Sequence, residues 1–135
     1  MSRSSPHKEL KRLRRDVKAK LARGEALQED GQLAAARKLF DEVLALDLPD
    51  DLRGYAYSAR ADVRDDEDDF EGAIADYSEA IRMAPGGDPA GAEYYLGRSR
   101  AWRALGDRER ALKDAIEARR LGAEVDPGYI KEVGG

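Results

Sequence analysis

The stretch that decides the fold is DDFEGAIADYSEAIRMAP, residues 68–85. It reads as a turn followed by a small–aromatic–small pattern, with Ala73, Tyr77 and Ala80 leading to Pro85. Two other segments fall into register with it: DGQLAAARKLFDEVLAL at 30–46 and GDRERALKDAIEARRLG at 106–122. Ala36, Ala73 and Ala111 coincide, as do Phe40, Tyr77 and Ala115, then Val43, Ala80 and Ala118, at intervals of 37 and 38 residues. Self-similarity at such a period is the signature of a stacked-repeat architecture.

Upstream of each turn lies a second helical stretch with its own register. Gly24, Ala61 and Ser99 share one slot, each preceded by Arg (Arg23, Arg60, Arg98). Leu27, Arg64 and Trp102 follow three residues later, and Lys20, Tyr57 and Tyr95 precede the Arg by three. Small residues recurring at one slot in both stretches let two antiparallel helices approach closely.

This pattern resembles the tetratricopeptide repeat, whose period of roughly 34 residues runs W-x2-L-G-x2-Y, A-x3-F, then Pro. Ala73, Tyr77, Ala80 and Pro85 fall in place. The first copy has Leu48 in the Pro slot, with Pro49 next to it, and the third has Ala115 for the aromatic and Ala123 for the Pro. The Leu slot is Arg in all three. The surplus residues per period fit the linkers LPDDLRG and PGGDPAG. The expected fold is all-α: a right-handed superhelical array of three helix-turn-helix pairs at about 17–50, 54–87 and 92–125. A basic extension of the first helix covers 1–16, and a short capping helix covers 126–135.

Helix punctuation agrees. Ser5-Pro6 and Asp88-Pro89 read as N-cap and first helical residue, and one long helix is expected from Pro6 to Glu29 along the stripe Leu10, Leu13, Val17, Leu21, Gly24, Leu27. Gly31, Asp68 and Gly106 occupy intra-pair turn slots that need a left-handed residue. Asp69 and Asp107 open the following helices, where a carboxylate suits the orphan N–H groups. Gly122 reads as a helix stop, and Asp126-Pro127 as the start of the cap, with Tyr129, Ile130 and Val133 to cover the last pair.

Composition narrows the function. The chain has 135 residues, 39% charged and 41% hydrophobic, and no Cys, so disulfides and thiolate chemistry are excluded. It has a single His, His7, and no Thr or Asn. No apolar run approaches a membrane span, and the N-terminus has no apolar signal core. A soluble cytoplasmic protein that uses neither membrane nor cofactor is expected. Net charge is −4, but residues 1–23 carry nine Lys/Arg against two acids, a net of +7 that leaves −11 for the rest.

The acidic run VRDDEDDFEG at 63–72 bears three readings: a metal loop, a groove wall or a solvated turn. Asp65, Glu67 and Asp69 alternate like the start of a calcium loop, with Asp76 twelfth, but Phe70 stands sixth where that loop needs Gly; no metal site is expected. The resemblance implies a concave surface built from the first helix of each pair. Its inward slots carry over to Lys18, Leu21, Glu25, Gln28 and Glu29; to Tyr55, Ser58, Asp62, Asp65 and Asp66; and to Glu93, Leu96, Arg100, Arg103 and Ala104. Asp62, Asp65 and Asp66 share a face and crowd a helix C-terminus, where negative charge is unfavourable. A solvated face is the competing reading for these acids.

The family's carboxylate clamp uses Lys, Arg and two Asn. The corresponding slots here are Leu21, Glu25, Ala59, Glu93 and Gly97, so that mode is excluded. The resemblance therefore implies a non-enzymatic protein-interaction module, adaptor- or co-chaperone-like. It would bind a basic or mixed-charge peptide segment through Glu25, Glu29, Asp62, Asp65, Asp66, Arg100 and Arg103, with apolar contact from Leu21, Tyr55 and Leu96. The rival expectation is a nucleic-acid-associated protein using Lys8, Lys11, Arg12, Arg14 and Arg15. No aromatics stand among these cations to stack on bases. The chain is expected to be a monomer or to self-associate weakly.

Overall fold

A computed structural model describes residues 5–135; the first four residues of the basic extension lie outside the described residues. Among the described residues seven helices follow one another: α1 (Pro6–Glu29), α2 (Leu33–Leu44), α3 (Asp50–Asp66), α4 (Phe70–Met83), α5 (Pro89–Ala104), α6 (Arg108–Arg120) and α7 (Pro127–Gly134). Among the described residues none is long and apolar enough to cross a membrane.

Local chemistry sets the helix ends. The Ser5 hydroxyl accepts from the Lys8 amide at 3.2 Å, and Asp69, Asp88, Asp107 and Asp126 accept from the amides of Gly72, Ala90, Arg110 and Gly128. Three intra-pair turns close alike. Gly31, Asp68 and Gly106 take φ of 81°, 61° and 83°, and the amide of the next residue reaches back to Leu27, Arg64 or Trp102 carbonyl at 2.8–3.0 Å. This is the Schellman closure, in which one left-handed residue lets two orphan carbonyls find donors. Gly122 (φ 108°) ends α6 in the same way. At the end of α2 a side chain takes over, as Arg53 donates to the carbonyls of Leu44 and Leu46.

Each helix packs on the next, and α3 also touches α1 and α5, so α1, α3 and α5 form one layer and α2, α4 and α6 the other. Small side chains fill the shared slots: Ala36, Ala61, Ala73, Ala111 and Ser99 have no solvent exposure. Gly24 has a sharper reason, since a Cβ there would lie 2.4 Å from the Phe40 ring. The core of α1–α3 gathers Val17, Leu21, Phe40, Val43, Leu52 and Val63. Val133 is buried on the α7 side, and the Tyr129 hydroxyl lies 2.8 Å from that of Ser99.

Two arginines at the expected Leu slot bind the layers together. Arg60 grips the buried Asp76 with two bonds of 2.8–2.9 Å and reaches Asp41 on α2 at 3.0 Å. Arg98 repeats this with Asp114 at 2.7–2.9 Å and reaches Ser78 on α4. Each guanidinium also stacks over the tyrosine three residues earlier, Tyr57 and Tyr95, at 5.7 and 5.3 Å. Hydrogen bonding by Asp76 and Asp114 holds both guanidinium pKa values above their ordinary range.

Candidate functional site

A cavity of about 500 Å³ opens on the α1–α3–α5 layer. Glu25 and Gln28 reach it from α1, Tyr55, Ser58, Asp62 and Asp65 from α3, and Glu93, Tyr94 and Arg100 from α5. These side chains converge because residues three and four apart on a helix share a face. Tyr77 comes from α4 behind and lines the cavity between α3 and α5. Gly97 makes room for it, since a Cβ at 97 would lie 2.5 Å from the Tyr77 ring. The Tyr77 hydroxyl donates to Asp62.

Four carboxylates, Glu25, Asp62, Asp65 and Glu93, face one guanidinium, Arg100, across this cavity. Asp62 lines the cavity and keeps an exposed side chain, while neighbouring protein removes part of its hydration. That loss of hydration raises its carboxyl above the ordinary 3.8, against the Tyr77 hydrogen bond, and Asp65 and Asp66 add to the rise. Asp65 is raised for the same reason, with Asp66 adding and Arg100 opposing. Tyr55 donates to Glu25, a bond that pushes the phenol up to about 12. The result is an anionic recess walled by three tyrosine rings. Such a recess favours a cation: carboxylates offer charge-assisted hydrogen bonds and ring faces attract positive charge.

Of the residues expected at this surface, Glu25, Tyr55, Asp62, Asp65 and Arg100 line the recess. Others are placed elsewhere. Asp66 accepts from Gln28 at 2.9 Å at the edge, and Glu29 is exposed at the end of α1. Leu96 is buried, 8% exposed, and is not part of the lining. Arg103 is turned toward the cap: it pairs with Glu132 at 3.3 Å and stacks 5.0 Å over the Tyr129 ring. Leu21 is buried and floors a second cavity between α1 and α3. On the basic helix, Arg14 is tied to Asp51 at 2.8 Å, whereas Lys8, Lys11, Arg12 and Arg15 are exposed.

Sequence reasoning passed over Tyr77 as a lining residue, because it occupies the aromatic slot of its repeat, which reads as core. It also passed over the Arg60–Asp76 and Arg98–Asp114 pairs. Their signal was present, since both are separated by 16 residues, while Arg23 has Leu39 at that distance.

No family model matches the sequence, and no curated protein does. Solved structures do match. The myosin chaperone UNC-45 from C. elegans, crystallised in complex with a Hsp90 peptide, is 32% identical with a TM-score of 0.70, over 87% of this chain and 13% of that one. The present chain thus corresponds to a small part of that protein. The N-terminal domain of stress-induced protein-1 (STI-1) from C. elegans is 18% identical with a TM-score of 0.72, over 90% of this chain and 94% of that domain. PcrH, in complex with the chaperone binding region of PopD, is 20% identical with a TM-score of 0.66, over 99% and 92%.

Proposed function

We propose that this chain, which has the tetratricopeptide-repeat fold, is a non-enzymatic protein-interaction module that binds a basic or mixed-charge peptide segment on its α1–α3–α5 face. The observation that carries this reading is the recess itself, where four carboxylates and three tyrosines surround a single arginine. A Lys or Arg side chain fits it by charge and by ring contact. The solved neighbours lend support by analogy: UNC-45 holds a Hsp90 peptide and PcrH a region of PopD. Fold alone does not fix function, so the charge of the recess decides the ligand. An acidic tail is disfavoured by Asp62, Asp65 and Glu93, and Arg100 gives a mixed-charge segment one anchor for a carboxylate.

The test is titration with an arginine-containing and a glutamate-containing peptide of equal length, followed by fluorescence anisotropy. The basic peptide should bind and the acidic one should not. Asp65→Lys with Glu93→Lys should cost at least about tenfold in affinity, equivalent to roughly 1.4 kcal/mol, with unchanged far-UV circular dichroism. Equal binding by the double variant would sink the reading.

A second reading rests on Lys8, Lys11, Arg12 and Arg15, exposed on one helix. Such a cluster attracts nucleic-acid phosphate, with affinity falling steeply as salt rises. Aromatic stacking partners are missing from residues 1–30, which places this reading second.

A further inference from the structure

The recess does not stand alone on this face. A second cavity of about 410 Å³ lies between α1 and α3, lined by Leu21, Ala22 and Leu52, with Lys18 and Asp51 beside them. Glu25 and Tyr55 line both cavities, and the hydrogen bond between them makes a shared wall. One side of that wall is anionic and ringed by tyrosines; the other is mainly aliphatic. Asp51 in the α1–α3 cavity is already paired with Arg14, and the floor of Leu21, Ala22 and Leu52 favours a large apolar side chain.

We propose that the face reads a two-part motif: one large apolar side chain (Leu, Ile, Met or Phe) seated in the α1–α3 cavity and one Lys or Arg seated in the acidic recess. The occupant is an extended segment of a partner protein, selected by apolar fit and by charge complementarity. This inference rests on the basic-segment reading above and adds a second anchor and a spacing to it.

The spacing follows from α3. Tyr55 marks the wall and Asp62 the recess, seven residues further along the helix. At a rise of 1.5 Å per residue that is roughly 10 Å, and Leu52 lies farther back on the other side. The two cavities are therefore offset by about 10–14 Å along α3. An extended chain advances about 3.3 Å per residue, so the two anchors stand three or four residues apart. Four suits the two-residue period of a strand, and three the three-residue turn of polyproline II.

The experiment uses the full chain, labelled with nitrogen-15, and a series of Ser/Gly peptides. Each peptide carries one Leu and one Arg separated by one to seven positions, in either order. Affinity should peak at a separation of three or four. It should fall about tenfold when Leu is replaced by Ala or the separation changes by two. Amide shifts at Leu21, Ala22 and Leu52 should appear with the Leu peptides and not with the Arg-only control. Filling the apolar cavity with Ala22→Phe should make Leu and Ala peptides bind alike; Ala22 is exposed, so the helix tolerates the change.

If Arg peptides bind with no dependence on Leu or on spacing, the two-part motif is overturned and the basic-segment reading survives. If no Arg peptide binds, both fall. An optimum at seven, the spacing of a helical ligand, overturns the extended-segment assignment. Concentration-dependent self-association in the ultracentrifuge that Ala22→Phe abolishes would replace the partner segment with a second copy of the chain.

Discussion

At the scale of single residues, two glycines show how close packing outweighs intrinsic preference. In a helix interior, Gly→Ala ordinarily stabilises by roughly 0.5–1 kcal/mol. At Gly24 the new methyl carbon would sit 2.4 Å from the Phe40 ring, and Phe40 is fully buried. Overpacking of this kind costs about 1–3 kcal/mol, so Gly24→Ala should be net destabilising, with a lower urea midpoint. Gly97→Ala should behave similarly and also displace Tyr77 from Asp62. The two raised carboxyls, Asp62 and Asp65, give a pH prediction. A carboxyl raised on folding binds protons more tightly folded than unfolded, so its contribution to stability falls as pH rises from 3.8 through the folded value. Binding of a cation runs the other way, because it needs the ionised form. Affinity for an Arg peptide should therefore rise with pH above 3.8 and level off once both groups have titrated. Flat affinity from pH 4 to pH 7 would remove these two residues from the binding reading.

At the scale of elements, α1 divides into two parts. From Leu13 onward it is built into the core, with Val17 at 1% and Leu21 at 3% exposure; its first turns carry exposed cations and Leu10 at 40%. Deleting residues 1–9 should lower stability by only about 0.5–2 kcal/mol, the loss of the Ser5 cap, since positions 6–9 are exposed. Val17→Ala should cost about 1–3 kcal/mol by cavity formation. If the second reading holds, the deletion also weakens a DNA or RNA mobility shift measured across a salt series, by removing Lys8 and part of the phosphate-binding charge. Helix ends were the most legible feature in the sequence. Pro6 and Glu29 bound α1 as the caps and stripe require, because an N-cap or a left-handed turn is set by residues within about five positions of each other. Placement of Leu96 and Arg103 was less legible. Both occupy slots that face inward by register, but Leu96 packs into the layer and α7 captures Arg103 through Glu132 and Tyr129.

At the scale of the whole molecule, each helix leans mainly on its neighbours, so stability should be distributed as in a one-dimensional array. α3 and α4 are covered on both sides, whereas the first turns of α1 carry exposed side chains and the eight-residue α7 is held from one side only, by α5 and α6. Hydrogen exchange should be slowest in α3 and α4 and fastest at those two ends. Uniform protection across all seven helices would contradict this. The Arg60 and Arg98 pairs link successive helices through Asp41 and Ser78, so they couple neighbouring parts of the array as well as the two layers.

The sequence by itself determined the all-helical class, the threefold register, the caps and the left-handed turns, since each depends on contacts local in the chain or on a spacing repeated along it. It placed Glu25, Asp62, Asp65 and Glu93 in inward slots but left a groove wall and a solvated face both open for the acids of α3. Only the tertiary structure decided that Tyr77 crosses from the other layer to bond Asp62, that Arg103 belongs to the cap, and that two cavities share the Glu25–Tyr55 wall. Those facts depend on the offset and approach of one helix against another. A shift of a few ångströms there changes which side chains meet while leaving every local signal in the sequence the same.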